Sequence, residues 1–586
     1  MEEIFKKNVQ ILRERFNIIF KMNQGYLKEK TLNLMRELTE YEKNVDSIEI
    51  NQLKSNDIIV FIGFGTGNFI RRILKSLSED SILIIIEPSY ELLNEVFCSE
   101  SFEDILTDDR VFLIIDNGSE KLINIIEEVI PWELSLRLKN LVHPFYKECF
   151  GAYIERIKNR LDEFRIIKET EIKTIFYSSH VIKKNMLANL IFIPESSLGN
   201  KLENYFKDIP AIIIGAGPSL DNNINELKKA KGKAILIAVG RVLKRLLQVG
   251  VIPDFVVSVD YSEKNYNFFK GINYSNIMLV YGMGINFNIL KNHNGKKILM
   301  LTTADSCVNK LLAEMGYEYK LFKGGGSVSC FAYEFARVIG ANPIILVGQD
   351  FAFTDNKVYS NISLHEGEKN EIREDELLWV ESNDGRKVAT NKIYFGFLKW
   401  FENEIEKDQE KIRVINVSER GAKIEGTIVM RLGTVIEEYC YKTINIEKYM
   451  NTISHEYLIN KEIYIKLLNE VKNQLSELKL IGEIGISICN QFFEKVIREE
   501  KFHMANYFSD LLTDIENELL EKELAYTLVE ELMIKENYII NNMDDSFLEP
   551  KEFLKSFYLK NKILYESIIK YSQYAGDLIH GLVDIK

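Results

Sequence analysis

What this chain of 586 residues lacks narrows its identity first. No apolar run approaches the roughly 20 residues that span a bilayer, so a membrane span is excluded. The N-terminus, MEEIFKKNVQILRERF, alternates charged and apolar residues and does not read as a signal peptide. Six cysteines, at 98, 149, 307, 330, 440 and 489, show no close pairing. They read as buried thiols in a reducing, cytoplasmic compartment, and suggest neither a disulfide framework nor a zinc site. Basic charge is in deficit: the net charge of −13 argues against a dedicated nucleic-acid binder, because phosphate recognition needs a basic face. The seven histidines (143, 180, 293, 365, 455, 503, 580) contain no HxH or HExxH pair, so no metal cage is readable. No internal repeat or low-complexity tract is present.

What is present reads as an ordinary globular protein, 46% hydrophobic and 27% charged, long enough for about three or four domains. In residues 1–45, Phe5, Val9, Leu12, Phe16 and Ile19 form one apolar stripe, read as a docking helix. Residues 46–150 form a Rossmann-like unit, with strands expected in 57–62, 81–87 and 110–116 and its last element near 135. Residues 136–205 read as helical and connective, with 151–205 as the connection proper. The central domain, 206–432, carries six expected strands, at 211–216, 233–240, 254–260, 277–283, 296–302 and 343–349, mostly separated by helical segments. That alternation predicts a doubly wound α/β sheet. In 433–586 proline is almost absent, and Tyr464, Leu468, Val471, Leu475 and Leu478 recur at helical spacing. This predicts an all-helical C-terminal domain.

Two glycine turns follow strands. The first, Gly63-Phe-Gly-Thr-Gly67, precedes a strand closed by Glu87. It fits an S-adenosylmethionine-type or dinucleotide site with an acid on ribose, and equally a turn that only packs strand against helix. The second, Gly215-Ala216-Gly217-Pro218-Ser219-Leu220-Asp221, follows an apolar strand. Pro218 pre-sets a first helical turn and Ser219 or Asp221 can cap it, so exposed N–H groups and the helix dipole would favour a phosphate. No Lys-Ser/Thr pair follows, so it is not a P-loop. Gly324-Gly325-Gly326-Ser327-Val-Ser329, before a helix, combines permissive backbone with two hydroxyls. Asp260 and Asp350 stand at the carboxyl ends of expected strands, facing the ligand crevice of such a sheet. His365, in the polar stretch 354–378, is the leading histidine for a general base, with a solvated loop residue as the alternative; Tyr359 is comparably placed. No Ser-His-Asp arrangement can be assembled from order or spacing.

The segment IPAIIIGAGPSLDNNINELKKAKGKAILIAVGRVLKRLLQVGVIPDFVVSVD (209–260) resembles the core of the motility accessory factor (Maf) family of bacterial flagellin glycosyltransferases. GGGSVSCFAYEFARVIGANPIILVGQDFAFT (324–354) and the stretch 388–426 continue the resemblance, and the flanks match in layout, with an EPS strand end at Glu87–Ser89. Family membership would imply transfer of a nonulosonic acid, pseudaminic or legionaminic, from its CMP conjugate to Ser or Thr of flagellin, possibly chaperone-bound, in the cytoplasm. No cofactor beyond the activated sugar is implied, magnesium being the one metal left open. The central region also resembles bacterial sialyltransferases, whose GxGPSL loop binds the CMP donor. On that resemblance Gly215, Ala216, Gly217, Pro218, Ser219 and Leu220, with Gly325, Gly326, Ser327 and Ser329, would meet the nucleotide. Asp260, Asp350, Tyr359 and His365 are then the candidates for the catalytic base. Sialyltransferases place a histidine base shortly before the segment matching Thr390-Asn391, where this chain has Arg386. The same core resembles archaeal hydroxymethylpterin diphosphokinases, shorter proteins that use ATP and magnesium. A phosphotransferase of that kind and a non-catalytic flagellin-binding factor are the rival readings.

Overall fold

The computed structural model describes residues 2–16, 29–44, 57–79, 81–115, 122–365, 372, 377–408, 410–446, 448–449, 459–543 and 549–583. The chain divides into two compact units: 1–169 with 538–560, and 170–537 with 561–586.

In the first unit, β1 (Ile58–Ile62), β2 (Ile82–Glu87), β3 (Val111–Ile115) and β4 (Leu138–Val142) form a parallel sheet in the order β3-β2-β1-β4. Strands β1 and β2 are almost wholly apolar because helices cover both faces. Strand β4 corrects the expectation of helical connection from 136 onward. It lies at the sheet's edge, and its sequence LKNLV keeps only its two end residues buried, so it lacks the apolar run that marks its neighbours. Helices Glu2–Phe16 and Glu29–Asn44 pack on this unit through Phe5, Leu12 and Leu38. Of the expected N-terminal stripe, Ile19 lies outside the described residues.

In the second unit the described residues form a nine-stranded parallel sheet. Its strands are β5 (Ser196–Leu198), β6 (Ala211–Ile214), β7 (Ile235–Val239), β8 (Phe255–Ser258), β9 (Met278–Tyr281), β10 (Lys297–Leu299), β11 (Ile344–Val347), β14 (Val414–Asn416) and β15 (Ile428–Val429). A two-stranded hairpin, β12 (Leu377–Glu381) with β13 (Lys387–Asn391), stands apart from the sheet. The strand order is β15-β14-β11-β6-β7-β8-β9-β10-β5. Alternate residues feed two cores. Ile213, Ile237 and Val257 face helix Val328–Val338, while Ile212, Leu236 and Ala238 face helix Gly240–Gln248. All six strands expected here form. Each is shorter than the apolar run that announced it; at β6, β7, β8, β9 and β11 a glycine or an acid at the carboxyl end lies outside the ladder. Strands β5, β14 and β15 escape a reading by hydrophobicity, since they are two or three residues long and two of them contain serine or asparagine.

The C-terminal segments are helical: Lys461–Phe492, Ala505–Leu520, Glu523–Leu532, Ile534–Asn541 and Pro550–Val583. The five residues at helical spacing are all buried along the first of these helices. On the same helix Gly485 allows a close crossing, since a Cβ there would collide with the ring of Tyr565. No described helix is long and apolar enough to cross a membrane.

Candidate functional site

From the centre of the large sheet the chain runs outward through β6 to β10 on one side and through β11 to β15 on the other, and in such sheets a crevice lies outside the carboxyl ends at the switch point, here between β6 and β11. The GAGPSL turn leaves β6 there, and Gly348-Gln349-Asp350 leaves β11 beside it. The two segments are welded together: Gly215 donates its N–H to Val347 O and Gly217 to Gly348 O, both at 2.8 Å. Glycine is required at both positions. A Cβ on Gly215 would stand 2.5 Å from Gly348 O, and one on Gly217 would stand 2.8 Å from that oxygen and collide with the Asp350 carboxylate.

Asp350 is 2% exposed and points inward. It accepts from Ser219 N–H (3.2 Å), Ser219 Oγ (2.7 Å), Thr354 Oγ1 (3.1 Å) and Ser418 Oγ (3.0 Å). Burial raises its pKa above the usual carboxylate value despite these donors. Ser219 therefore does not cap a helix. Its hydroxyl serves Asp350, the helix that follows is only Leu220–Asn223, and Asp221 instead accepts the N–H of Asn361 at 2.9 Å. The N–H groups of Gly215, Gly217 and Ser219 are thus committed inside the protein, and a helix of four residues contributes little dipole to a phosphate. This differs from the exposed donor nest expected of the turn.

The segment after Asp350 folds back over the turn. Ser360 donates its N–H to Ala216 O at 2.9 Å, which seats Tyr359 beside the carboxyl end of β7. There Arg241, in the first turn of helix Gly240–Gln248, holds its guanidinium 3.6 Å from the centroid of the Tyr359 ring and 4.8 Å from that of Phe268. Tyr359 is hydrogen-bonded to Tyr394, whose hydroxyl burial pushes far above its ordinary pKa. His365 lies tilted by 31° against Phe268 with ring centroids 4.4 Å apart, and its Nε2 lies 3.1 Å from Arg241 O. A carbonyl only accepts, so Nε2 carries the proton in this contact. The polar stretch is therefore an ordered cover as far as His365.

Asp260 lies two residues beyond β8, half-buried. Its Oδ1 accepts Ser262 N–H at 2.7 Å, and Asn265 Nδ2 donates to its carbonyl at 2.8 Å. Ser327 caps helix Val328–Val338 by accepting Cys330 N–H at 3.1 Å, with Ser329 in the first turn. As the crossover into β11, this helix runs against the strands, so its N-terminus stands at the same edge as the turn. Gly326 has a φ of +71°, and a Cβ on Gly325 would stand 2.6 Å from the Trp400 ring, so both glycines are required by backbone and packing. The structure thus brings every candidate residue of the central domain to one edge of one sheet. Sequence reasoning passed over Arg241, Tyr394, Ser418, Gln349 and Asn416. Arg241 was the most legible of these, directly following the glycine that ends the run KAILIAVG. Gln349 Nε2 and Asn416 Nδ2, both buried, have no hydrogen-bond partner among the described residues. Among those residues no group of three His, Cys, Asp or Glu is arranged to hold a metal ion.

The glycine turn of the first unit is filled by its own protein. Glu87 is fully buried and accepts from Phe64 N–H (2.8 Å), Ser89 N–H (2.9 Å) and Tyr146 OH (2.8 Å). Burial pushes its carboxyl up to about 7. Cβ atoms on Gly63 and Gly65 would stand 2.6 Å from the Tyr146 ring and from His143 Nε2. His143 is bonded to Glu42 at 3.0 Å, and Glu42 also takes Thr66 N–H at 2.8 Å. The acid expected to meet ribose is occupied by the turn itself.

With this geometry in view, the chain is an α/β protein whose candidate site lies at the switch point of a doubly wound sheet. Over its whole length it has the fold of the Maf glycosyltransferase from Magnetospirillum magneticum AMB-1. The TM-score is 0.56 at 13% identity, covering 100% of this chain and 98% of that one. The family model described as 6-hydroxymethylpterin diphosphokinase MptE-like matches residues 184–356, the part of the sheet that carries the glycine turn and Asp350. The chain is 28% identical over 213 residues to the 6-hydroxymethyl-7,8-dihydropterin pyrophosphokinase of Methanocaldococcus jannaschii, which covers 35% of this chain and 81% of that protein. It is also 30% identical over 135 residues to Toxin A of Clostridium novyi, across 21% of this chain and 6% of the toxin.

Proposed function

We propose that this protein is a cytoplasmic glycosyltransferase that moves a nonulosonic acid, pseudaminic or legionaminic, from its CMP conjugate to Ser or Thr hydroxyls of flagellin. The observation that carries the reading is the end-to-end likeness to the Maf glycosyltransferase, which extends to both flanks of the central sheet. The GAGPSL turn, with Ser327 and Ser329 across the crevice, holds the nucleotide. Asp350 positions the turn from beneath. The acceptor oxygen attacks the anomeric carbon, the bond to the phosphate oxygen breaks, and CMP leaves with the electron pair, inverting the centre. Asp260 takes the hydroxyl proton. It is half-buried at the site edge, whereas Asp350 is enclosed by donors and His365 and Tyr359 are engaged with their neighbours. The reaction as proposed needs no metal.

The test is purified protein with CMP-pseudaminic or CMP-legionaminic acid and flagellin, following CMP release and the mass of flagellin, with and without a chelator. Release coupled to a sugar-sized mass increase is expected, and D260N should abolish it while leaving donor affinity intact. The family match at 184–356 and the archaeal relative favour a second reading, an ATP- and magnesium-dependent diphosphate transfer to a hydroxymethylpterin. Turnover of ATP with that pterin, and none with the CMP-sugars, would replace the first reading. Flagellin binding with no turnover of either kind would leave a non-catalytic binding factor.

A further inference from the structure

Glu42 meets the first glycine turn in the way a bound anion would. Its Oε1 accepts Thr66 N–H at 2.8 Å and lies 3.0 Å from His143 Nε2. Its Oε2 accepts from the Thr66 hydroxyl and from Asn68 Nδ2, the latter at 3.3 Å. Both carboxylate oxygens are thus engaged, and the side chain is only 3% exposed. We propose that this turn is an oxyanion site and that Glu42 is its built-in competitor, standing where the carboxylate or phosphate of a diffusible ligand binds.

Three features carry the assignment. The first is that host and guest belong to different elements. Thr66 lies in the turn, Asn68 opens helix Asn68–Ser76, and His143 follows β4 and donates its N–H to Ile62 O at 2.9 Å. The parallel sheet sets all three positions. Glu42 comes instead from helix Glu29–Asn44, which buries Leu38 fully and Leu34, Met35 and Tyr41 only in part. The guest therefore rides on the element with the weaker apolar hold. The second feature is that helix Asn68–Ser76 has no acid of its own. Gly67 is its N-cap, no side chain caps it, and its first turn holds neither Asp nor Glu. Such a helix start favours an anion, and the anion it has reaches it from outside. The third is the room left for the guest: a Cβ on Gly65, whose φ is +61°, would stand 2.6 Å from Glu42 Oε1. A ligand bearing an oxyanion gains the turn only by releasing Glu42, which makes helix Glu29–Asn44 a plug. The assignment stands independently of the donor proposed for the central domain.

Calorimetric titration of the full-length chain with sodium acetate and with inorganic phosphate tests this, against sodium chloride of matched ionic strength. The proteins are wild type, E42A and E42A/N68D; Asn68 is exposed, and aspartate keeps its shape while placing a like charge beside the vacated position. E42A should bind in the millimolar range and wild type about ten-fold or more weakly, because the tethered carboxylate competes. Tighter binding of acetate assigns a carboxylate ligand, and tighter binding of phosphate a phosphate-bearing one. E42A/N68D should bind the preferred anion about ten-fold more weakly than E42A. An E42A that binds neither anion, a wild type that binds as tightly as E42A, or undiminished binding by E42A/N68D overturns the assignment. Should E42A be unfolded under these conditions, circular dichroism decides. Return of the folded signal with acetate or phosphate, and not with chloride, upholds the site, since an anion that binds only the folded state stabilises it. No return with either anion overturns it.

Discussion

Asp350 separates bracing from chemistry, because the two roles respond differently to two substitutions. Alanine removes the acceptor of four hydrogen bonds at 2.7–3.2 Å. The hydroxyls of Thr354 and Ser418 can turn elsewhere, but the Ser219 N–H cannot, and a buried donor without a partner costs about 1–3 kcal/mol. Part of the loss is offset, because a carboxylate buried to 2% exposure and shifted upward by burial is itself costly to keep charged. A net destabilisation of about 2 kcal/mol is expected for D350A, with loosened nucleotide binding. Asparagine behaves otherwise. Its oxygen can stand where Oδ1 accepts from Thr354 and Ser418 and also receives the Ser219 N–H at 3.3 Å, and its amide then faces Ser219 Oγ, which exchanges the donor role for the acceptor role. D350N should therefore cost only about 1 kcal/mol and retain most of the transfer rate. Chemical denaturation, CMP titration and turnover on the three proteins give the comparison. If D350N loses turnover by about a thousand-fold with unchanged stability and CMP affinity, Asp350 acts in the chemistry and the bracing assignment is wrong. If D350A is as stable as wild type, the assignment fails from the other side.

Other outcomes follow from the same geometry. Glu87 has a folded value of about 7 against an ordinary value of 4.5, so the folded state binds more protons between them. Its contribution makes stability fall by about 3 kcal/mol as pH rises from 4.5 to 7 and level off above, since each unit is worth about 1.4 kcal/mol. Hydrogen exchange of β1 amides in the full chain at pH 5, 6, 7 and 8 should show this slope in wild type and lose it in E87Q; parallel profiles refute it. S-adenosylmethionine and NAD should not raise the melting temperature, because Tyr146, His143 and Glu42 occupy the first glycine turn, and stabilisation by either would reopen that site. G63A should destabilise by about 2–4 kcal/mol in a denaturant titration, its Cβ meeting the Tyr146 ring at a φ of +100°; a cost under about 1 kcal/mol would show that the ring gives way. G485L should disrupt the crossing with Tyr565 and lower the melting temperature, and wild-type melting would show that the crossing adapts.

Much of the fold is legible in the chain because its central strands are buried on both faces. Runs such as ILIIIE and AIII must be apolar throughout, and the glycines and acids that end them mark the edge where a site can form. Periodicity likewise exposes the long helix at 461–492, one face of which is buried along its whole length. The same logic hides β4, β5, β14 and β15, which are short or lie at an edge and need no apolar run.

Both glycine turns read alike as sequence: glycines after an apolar strand, with an acid further on. What the sequence by itself determined was that backbone must approach something closely at each of them, since that is what absence of a Cβ permits. What approaches was decided by tertiary structure alone. At Gly63–Gly67 it is the protein's own Tyr146, His143 and Glu42. At Gly215–Gly217 it is the neighbouring strand end and Asp350, with Arg241 and Tyr359 brought alongside from segments more than a hundred residues apart. The reason is physical: a turn's conformation is local, whereas the group that fills the space beside it is set by strand order, and strand order is a property of the whole sheet.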